Sequence, residues 1–182
     1  EDIQTATGLL KEGAFDYILK DDETTKRLSN TLQHIREIKV LKQQLEGLKN
    51  EVVKKYNFSN TILGNCPAMV RVLELSKKAA ATNITVSITG ENGTGKELIA
   101  KTIHYNSSRN RFPFVSIDLS AVPKTSIESE LFGYEKDGVE GAVTRKIGKI
   151  EEANNGTLFI DGINELDHSM QEKLLKFIQE KQ

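Results

Sequence analysis

The sequence predicts an α/β domain built on a parallel sheet, entered through a long helix and preceded by the tail of another folded unit. Three observations carry that prediction. Short apolar segments at 84–89, 114–119 and 157–161 alternate with stretches of helical pattern, the order that parallel sheets require. A glycine-rich loop stands between the first of these segments and the helix that follows it. A stretch from Thr24 to about Tyr56 has no proline and repeats its apolar residues at near-heptad spacing.

At the start of the chain, Ile3, Leu9 and Leu10 predict a short amphipathic helix that stops at Gly13. Phe15 to Leu19 then reads as a strand. So few elements cannot bury a core, so residues 1–38 are expected to end something larger. In the next stretch Leu28, Leu32, Ile35, Ile38, Leu41, Leu45, Leu48 and Val52 form one seam, with Lys, Glu and Gln on the other faces. That seam fits packing on its own domain or pairing with a second copy. From about Phe58 the α/β region begins. Asn65 is placed to cap a helix with Pro67 in its first turn, and Met69, Val72, Leu73 and Ala80 give that helix an apolar face. Ile84, Val86 and Ile88 alternate with Thr85, Ser87 and Thr89 as a strand does, and a last helix covers Met170 to Glu180.

Composition removes several classes of function. The 182 residues hold one ordinary domain and part of another. With 25 Lys and Arg against 26 Asp and Glu, the net charge of −1 argues against a strongly basic nucleic-acid module and leaves room only for a local basic patch. Cys66 is the only cysteine, which excludes a disulfide framework, and it is expected as a buried small hydrophobe. No apolar run reaches the ~18 residues that span a bilayer, so a cytoplasmic setting without membrane contact is expected. His104 is expected to be structural, His34 and His168 solvated, and the pairs Lys77-Lys78 and Arg145-Lys146 superficial.

The chemistry concentrates in Gly90-Glu91-Asn92-Gly93-Thr94-Gly95-Lys96-Glu97, a phosphate-loop pattern except at its last position. Glycines bring backbone N–H groups close to phosphate oxygens, the following helix lends its positive end, and Lys96 reaches the outer phosphates. Glu97 stands where a hydroxyl normally meets magnesium. Asp161, closing the apolar run Thr157-Leu158-Phe159-Ile160, supplies a carboxylate for water-mediated contact with that metal.

These motifs, with Ile62-Leu63-Gly64, Ile103-His104, Ser108-Arg109, Glu130 to Lys136 and Ala153 to Leu166, resemble the sigma-54-dependent transcription activators of the nitrogen-regulator type. The resemblance covers nearly all of residues 60–182. It implies a partial AAA+ phosphate-loop ATPase domain of three-layer architecture over 58–182, ATP and Mg2+ as cofactors, and Ile62 and Gly64 on the adenine side. It also implies higher oligomers through the AAA+ region and a contact with sigma-54 RNA polymerase. Residues 39–57 become a helical linker able to dimerise. Residues 1–38 resemble the end of a two-component response-regulator receiver, in which the positions of Tyr17 and Lys20 report activation and contact a phosphoryl group. DNA would be met only through a domain that this chain does not include. The family's later ATPase elements and its helix-turn-helix are likewise expected outside it.

Three positions depart from the family pattern. The glutamate that activates the attacking water is replaced by Gly162, and losing such a base lowers rates by ~10²–10⁴. The loop that engages sigma-54 reads Asp137-Gly138-Val139-Glu140-Gly141-Ala142, with an aromatic tip changed to Val139 and a threonine to Glu140. The asparagine that relays nucleotide state is Asp118, which when ionised only accepts hydrogen bonds. The expectation is an ATP-binding, hydrolysis-impaired regulator. Its rivals are a non-enzymatic scaffold that nucleotide stabilises and an active ATPase with a substitute base.

Overall fold

The computed structural model describes residues 7–8, 11–14, 23–58, 66–135 and 144–180. Several expectations fall outside these: the strand at Phe15 to Leu19, Tyr17 and Lys20, Ile62 and Gly64, the cap at Asn65, and the loop Asp137 to Ala142. The chain divides into two compact units, Glu1–Asn50 and Glu51–Gln182. Among the described residues no helix is long and apolar enough to cross a membrane.

The first unit is dominated by helix α1, Thr24–Lys55, whose last turn reaches into the second. Good helix formers fill its surface, Gln33 donates to Glu37 at 3.1 Å, and Lys54 and Lys55 complement the carboxyl end of the helix dipole. One helix thus runs unbroken through residue 38, between the remnant and the linker distinguished in the sequence. None of its residues is buried. Leu41 and Leu48 are each 63% exposed, so among the described residues the apolar seam stands open from Leu28 to Leu48, with Val52 half-buried.

The second unit follows the α/β order. Helices α2 (Pro67–Ala80) and α3 (Lys96–Tyr105) precede strand β1 (Phe114–Asp118). Helix α4 (Ile127–Phe132) leads into a small antiparallel pair, β2 (Gly133–Tyr134) and β3 (Lys146–Ile147). After them come α5 (Lys149–Glu152), strand β4 (Thr157–Asp161) and α6 (His168–Glu180). β1 and β4 pair in parallel, from Phe114 opposite Thr157 to Asp118 opposite Asp161. The core gathers Ile117 from β1, Ile127 and Leu131 from α4, and Leu166, Met170 and Leu174 around α6. The spacing of Met170 and Leu174 is the one-turn interval that keeps two side chains on one helix face.

Three expectations are corrected. Residues 83–90 form no strand: they have no ladder partner among the described residues, and Ile84 is 63% exposed. Alternation gives a segment an apolar face, but only a hydrogen-bonded neighbour makes it a strand. Cys66, expected inside, is exposed, because it occupies the N-cap of α2 and projects beyond the helix body. On α2 the buried residues are Ser76, Ala79 and Ala80, with Met69 and Leu73 half-buried and Val72 exposed. Small side chains let α2 approach its neighbour closely, and Ser76 satisfies its hydroxyl by donating to the Val72 carbonyl at 2.8 Å.

Candidate functional site

The glycine loop is built by its own short-range bonds. Gly93 and Gly95 take φ of +80° and +88°, a region closed to most side chains, and Gly95 caps α3 without any side-chain bond to the helix end. The first N–H groups of α3 therefore face outward as donors. Thr94 Oγ1 donates to the Glu91 carbonyl at 2.8 Å and braces the turn. Lys96 Nζ donates to the carbonyls of Gly90 and Glu91 at 3.3 and 3.1 Å, which parks the ammonium over the loop. Asn92 sits exposed at the tip of the turn. The Glu97 side chain pairs with Lys101 one turn along at 2.9 Å, and that carboxylate holds the Lys101 ammonium above its ordinary range. Glu97 is left to serve the loop through its backbone N–H.

His104 locks α3 onto the sheet. Its Nδ1 lies 2.8 Å from Thr157 Oγ1, at the first residue of β4. The ring is 1% exposed among Tyr105 and Phe114, and burial pushes its pKa down, so the neutral form fills the site. A helix lying on parallel strands with its carboxyl end at their starts has its amino end at their finishes. Ten helical residues span ~15 Å and four strand steps ~13 Å, so Lys96 and Asp161 come to the same edge of the layer. Ligands of open α/β sheets bind at that carboxyl edge.

Two carboxylates end the paired strands there. Asp161 is half-buried, and its Oδ1 accepts the Gly162 N–H at 3.0 Å. Asp118 is exposed, and its Oδ1 accepts from Ser120 Oγ at 2.6 Å and from Ser120 N–H at 3.0 Å. Those bonds, the hydroxyl first, hold the Asp118 carboxyl below its usual range. Gly162 adopts φ +71°, and nothing closer than 3.4 Å would meet a Cβ placed on it. Among the described residues no group of three or more His, Cys, Asp or Glu side chains is placed to cage a metal. A divalent ion at this edge would therefore take most of its ligands from bound phosphates and water, with Asp161 reached through water. That donor set fits magnesium.

Sequence reasoning named Asp118 and Asp161 but missed the groups that fix them. Asp-x-Ser is a local signal for the Ser120 bond, and the four-residue interval foretells the Glu97–Lys101 pair. The His104–Thr157 contact spans 53 residues and has no local signal.

A turn of glycines at a helix start, a lysine held over it and a carboxylate closing a neighbouring parallel strand together define a phosphate-loop α/β domain, of the AAA+ fold class. The chain belongs to the sigma-54 interaction domain family, whose model matches residues 62–182. Regulatory protein AtoC of Escherichia coli strain K12 is 39% identical over 181 residues, covering 100% of this chain and 39% of that protein. The Nif-specific regulatory protein of Azotobacter vinelandii is 47% identical over 135 residues, covering 74% of this chain and 26% of its own length. A crystal structure of NtrX from Brucella abortus in complex with ATP superposes with a TM-score of 0.59 at 32% identity, covering 96% of this chain and 37% of that one. The chain thus spans at most about two fifths of the length of these relatives.

Proposed function

We propose that this chain is the nucleotide-binding part of a sigma-54-dependent transcription regulator of the two-component type, and that it binds ATP with magnesium but hydrolyses it slowly. The loop at residues 90–97 carries the reading: outward N–H donors, an ammonium held in place and the positive end of α3 form a cradle for a triphosphate. The ATP complex of Brucella NtrX supports the choice of nucleotide. Magnesium would offset phosphate charge, with Asp161 orienting its water. Slow hydrolysis follows from Gly162, which offers no side chain to activate a water.

The test combines ATP titration in magnesium with a turnover assay on the wild type and on Gly162→Glu. The expected result is saturable binding in both, with turnover ~10- to 100-fold faster in the variant, a part of the factor a positioned base supplies. The left-handed backbone at 162 costs the variant about 1 kcal/mol of stability. Brisk wild-type turnover that vanishes in Lys96→Ala would refute slow hydrolysis. Absence of binding would refute the whole reading.

Within the same proposal, residues 1–38 are the end of a receiver, in which Tyr17 and Lys20 hold the signalling positions, and Ile62 and Gly64 line the adenine side. The loop Asp137 to Ala142 is the counterpart of the sigma-54 contact, and Asp118 the counterpart of the nucleotide relay. The open seam of α1 pairs with a second copy. Replacing Leu41 and Leu45 together with Glu removes ~1.5–3 kcal/mol of burial per side chain, and sedimentation should then show loss of the dimer. A dimer of unchanged strength would place self-association elsewhere.

A further inference from the structure

We propose that the Asp118 carboxylate, standing beside Asp161 at the carboxyl end of β1, orients the water that attacks the γ-phosphate and so carries the slow hydrolysis of this site. The inference rests on the nucleotide reading above and adds to it the residue that does the chemistry. It begins with register. Asp118 lies directly opposite Asp161 on the paired strand, so both carboxylates finish at the edge where the loop of α3 arrives.

The second observation is where Gly162 points. A Cβ built on it would sit 3.8 Å from Asp118 Oδ1. A carboxylate rooted on β1 therefore already stands beside the space that a side chain at 162 would enter. Gly162 leaves that space open to water beside the carboxylate.

The third observation is rigidity. Ser120 fixes Asp118 through its hydroxyl at 2.6 Å and its N–H at 3.0 Å, so the carboxylate does not need to be ordered when substrate binds. Two other carboxylates lie close in sequence to this edge. Glu97 is engaged away from it, paired with Lys101 at 2.9 Å. Glu165 also borders the space, its Cγ 3.8 Å from the built Cβ, but its carboxylate accepts from Asn164 at 3.3 Å and faces Lys124 at 3.9 Å. Among the described residues Asp118 forms no ion pair.

In the step itself, the water oxygen forms a bond to the γ-phosphorus as the bond to the bridging oxygen breaks. The electron pair of that bond leaves with ADP. The proton released by the water passes to the Asp118 carboxylate and from it to solvent, giving ADP, inorganic phosphate and one proton.

The experiment measures ATP affinity by calorimetry and steady-state turnover on the full-length protein that carries this chain. Asp118→Asn keeps the shape and the Ser120 contacts, and its turnover should fall at least tenfold while affinity stays within twofold. Asp118→Glu, which keeps a carboxylate, should retain turnover within tenfold of wild type. Added formate should restore part of the rate to Asp118→Ala, a response that a purely structural role would not give. Turnover in Asp118→Asn equal to wild type, a parallel loss of affinity, no formate response, or no turnover in the wild type would each overturn the assignment. Wild-type protein that binds no ATP would instead overturn the nucleotide reading, so the two failures are distinguishable.

Discussion

Replacing Lys96 with alanine should weaken ATP binding by ~10²- to 10³-fold and leave the fold intact. The ammonium is already in position: two of its three donors rest on the Gly90 and Glu91 carbonyls, at 3.3 and 3.1 Å. Little side-chain entropy remains to be lost when phosphate arrives, so most of the charge-assisted bond appears as affinity. A hydrogen bond to a charged group contributes about 1.5–3 kcal/mol, and the uncompensated phosphate charge adds to the loss. At about 1.4 kcal/mol per decade, the sum gives the stated range. Lys96 is half-exposed and pairs with no buried group, so the melting temperature should change little. Arginine would not rescue the site, because a planar guanidinium does not fit the two carbonyls that a compact ammonium spans. Calorimetry with ATP in magnesium, beside thermal unfolding of both variants, checks this. Affinity retained in Lys96→Ala would mean that the loop is not the phosphate cradle.

Local patterns made the loop, α1, α3 and both paired strands legible, because each is set by residues within one or two turns of chain. Thr157 to Asp161 is a short apolar run with a polar end, and it is a strand. Ile84 to Ile88 has better alternation and is not one, because a strand depends on a distant partner. The two strand-ending aspartates were legible one at a time. Their juxtaposition was not, since register follows from pairing between residues 43 positions apart. Cys66 reads as a small hydrophobe by type, but its place at a helix entrance exposes it. The seam of α1 shows which side chains share one face, and among the described residues that face is exposed from Leu28 to Leu48.

Gly156 is the clearest case of a residue whose importance lies in space rather than in pattern, and Gly156→Ala should strongly destabilise the second unit. A Cβ there would stand 2.0 Å from the Pro113 carbonyl oxygen, with the Pro113 carbonyl carbon at 3.0 Å. These are backbone atoms and cannot swing aside. The Pro113 carbonyl also accepts the Thr157 N–H at 2.9 Å, next to the first paired residues of β1 and β4. Relief of the clash must break that bond. It also strains the bond from Arg109 Nη1 to the Gly156 carbonyl at 3.1 Å and the His104 contact to Thr157. Overpacking costs about 1–3 kcal/mol, and each lost bond adds ~1 kcal/mol. A total of about 3–5 kcal/mol is a large share of the ~5–15 kcal/mol that holds a domain together. The melting temperature should fall by roughly 10 °C or more. ATP affinity should fall with it, because β4 carries Asp161 to the edge that the loop faces. Gly162→Ala is the informative partner: its φ of +71° strains an alanine, but the space is open, so about 1 kcal/mol is expected. Thermal unfolding of the two variants side by side therefore separates a glycine required for room from one required for torsion. Equal melting temperatures would show that β1 and β4 do not approach at Gly156 as closely as their register demands.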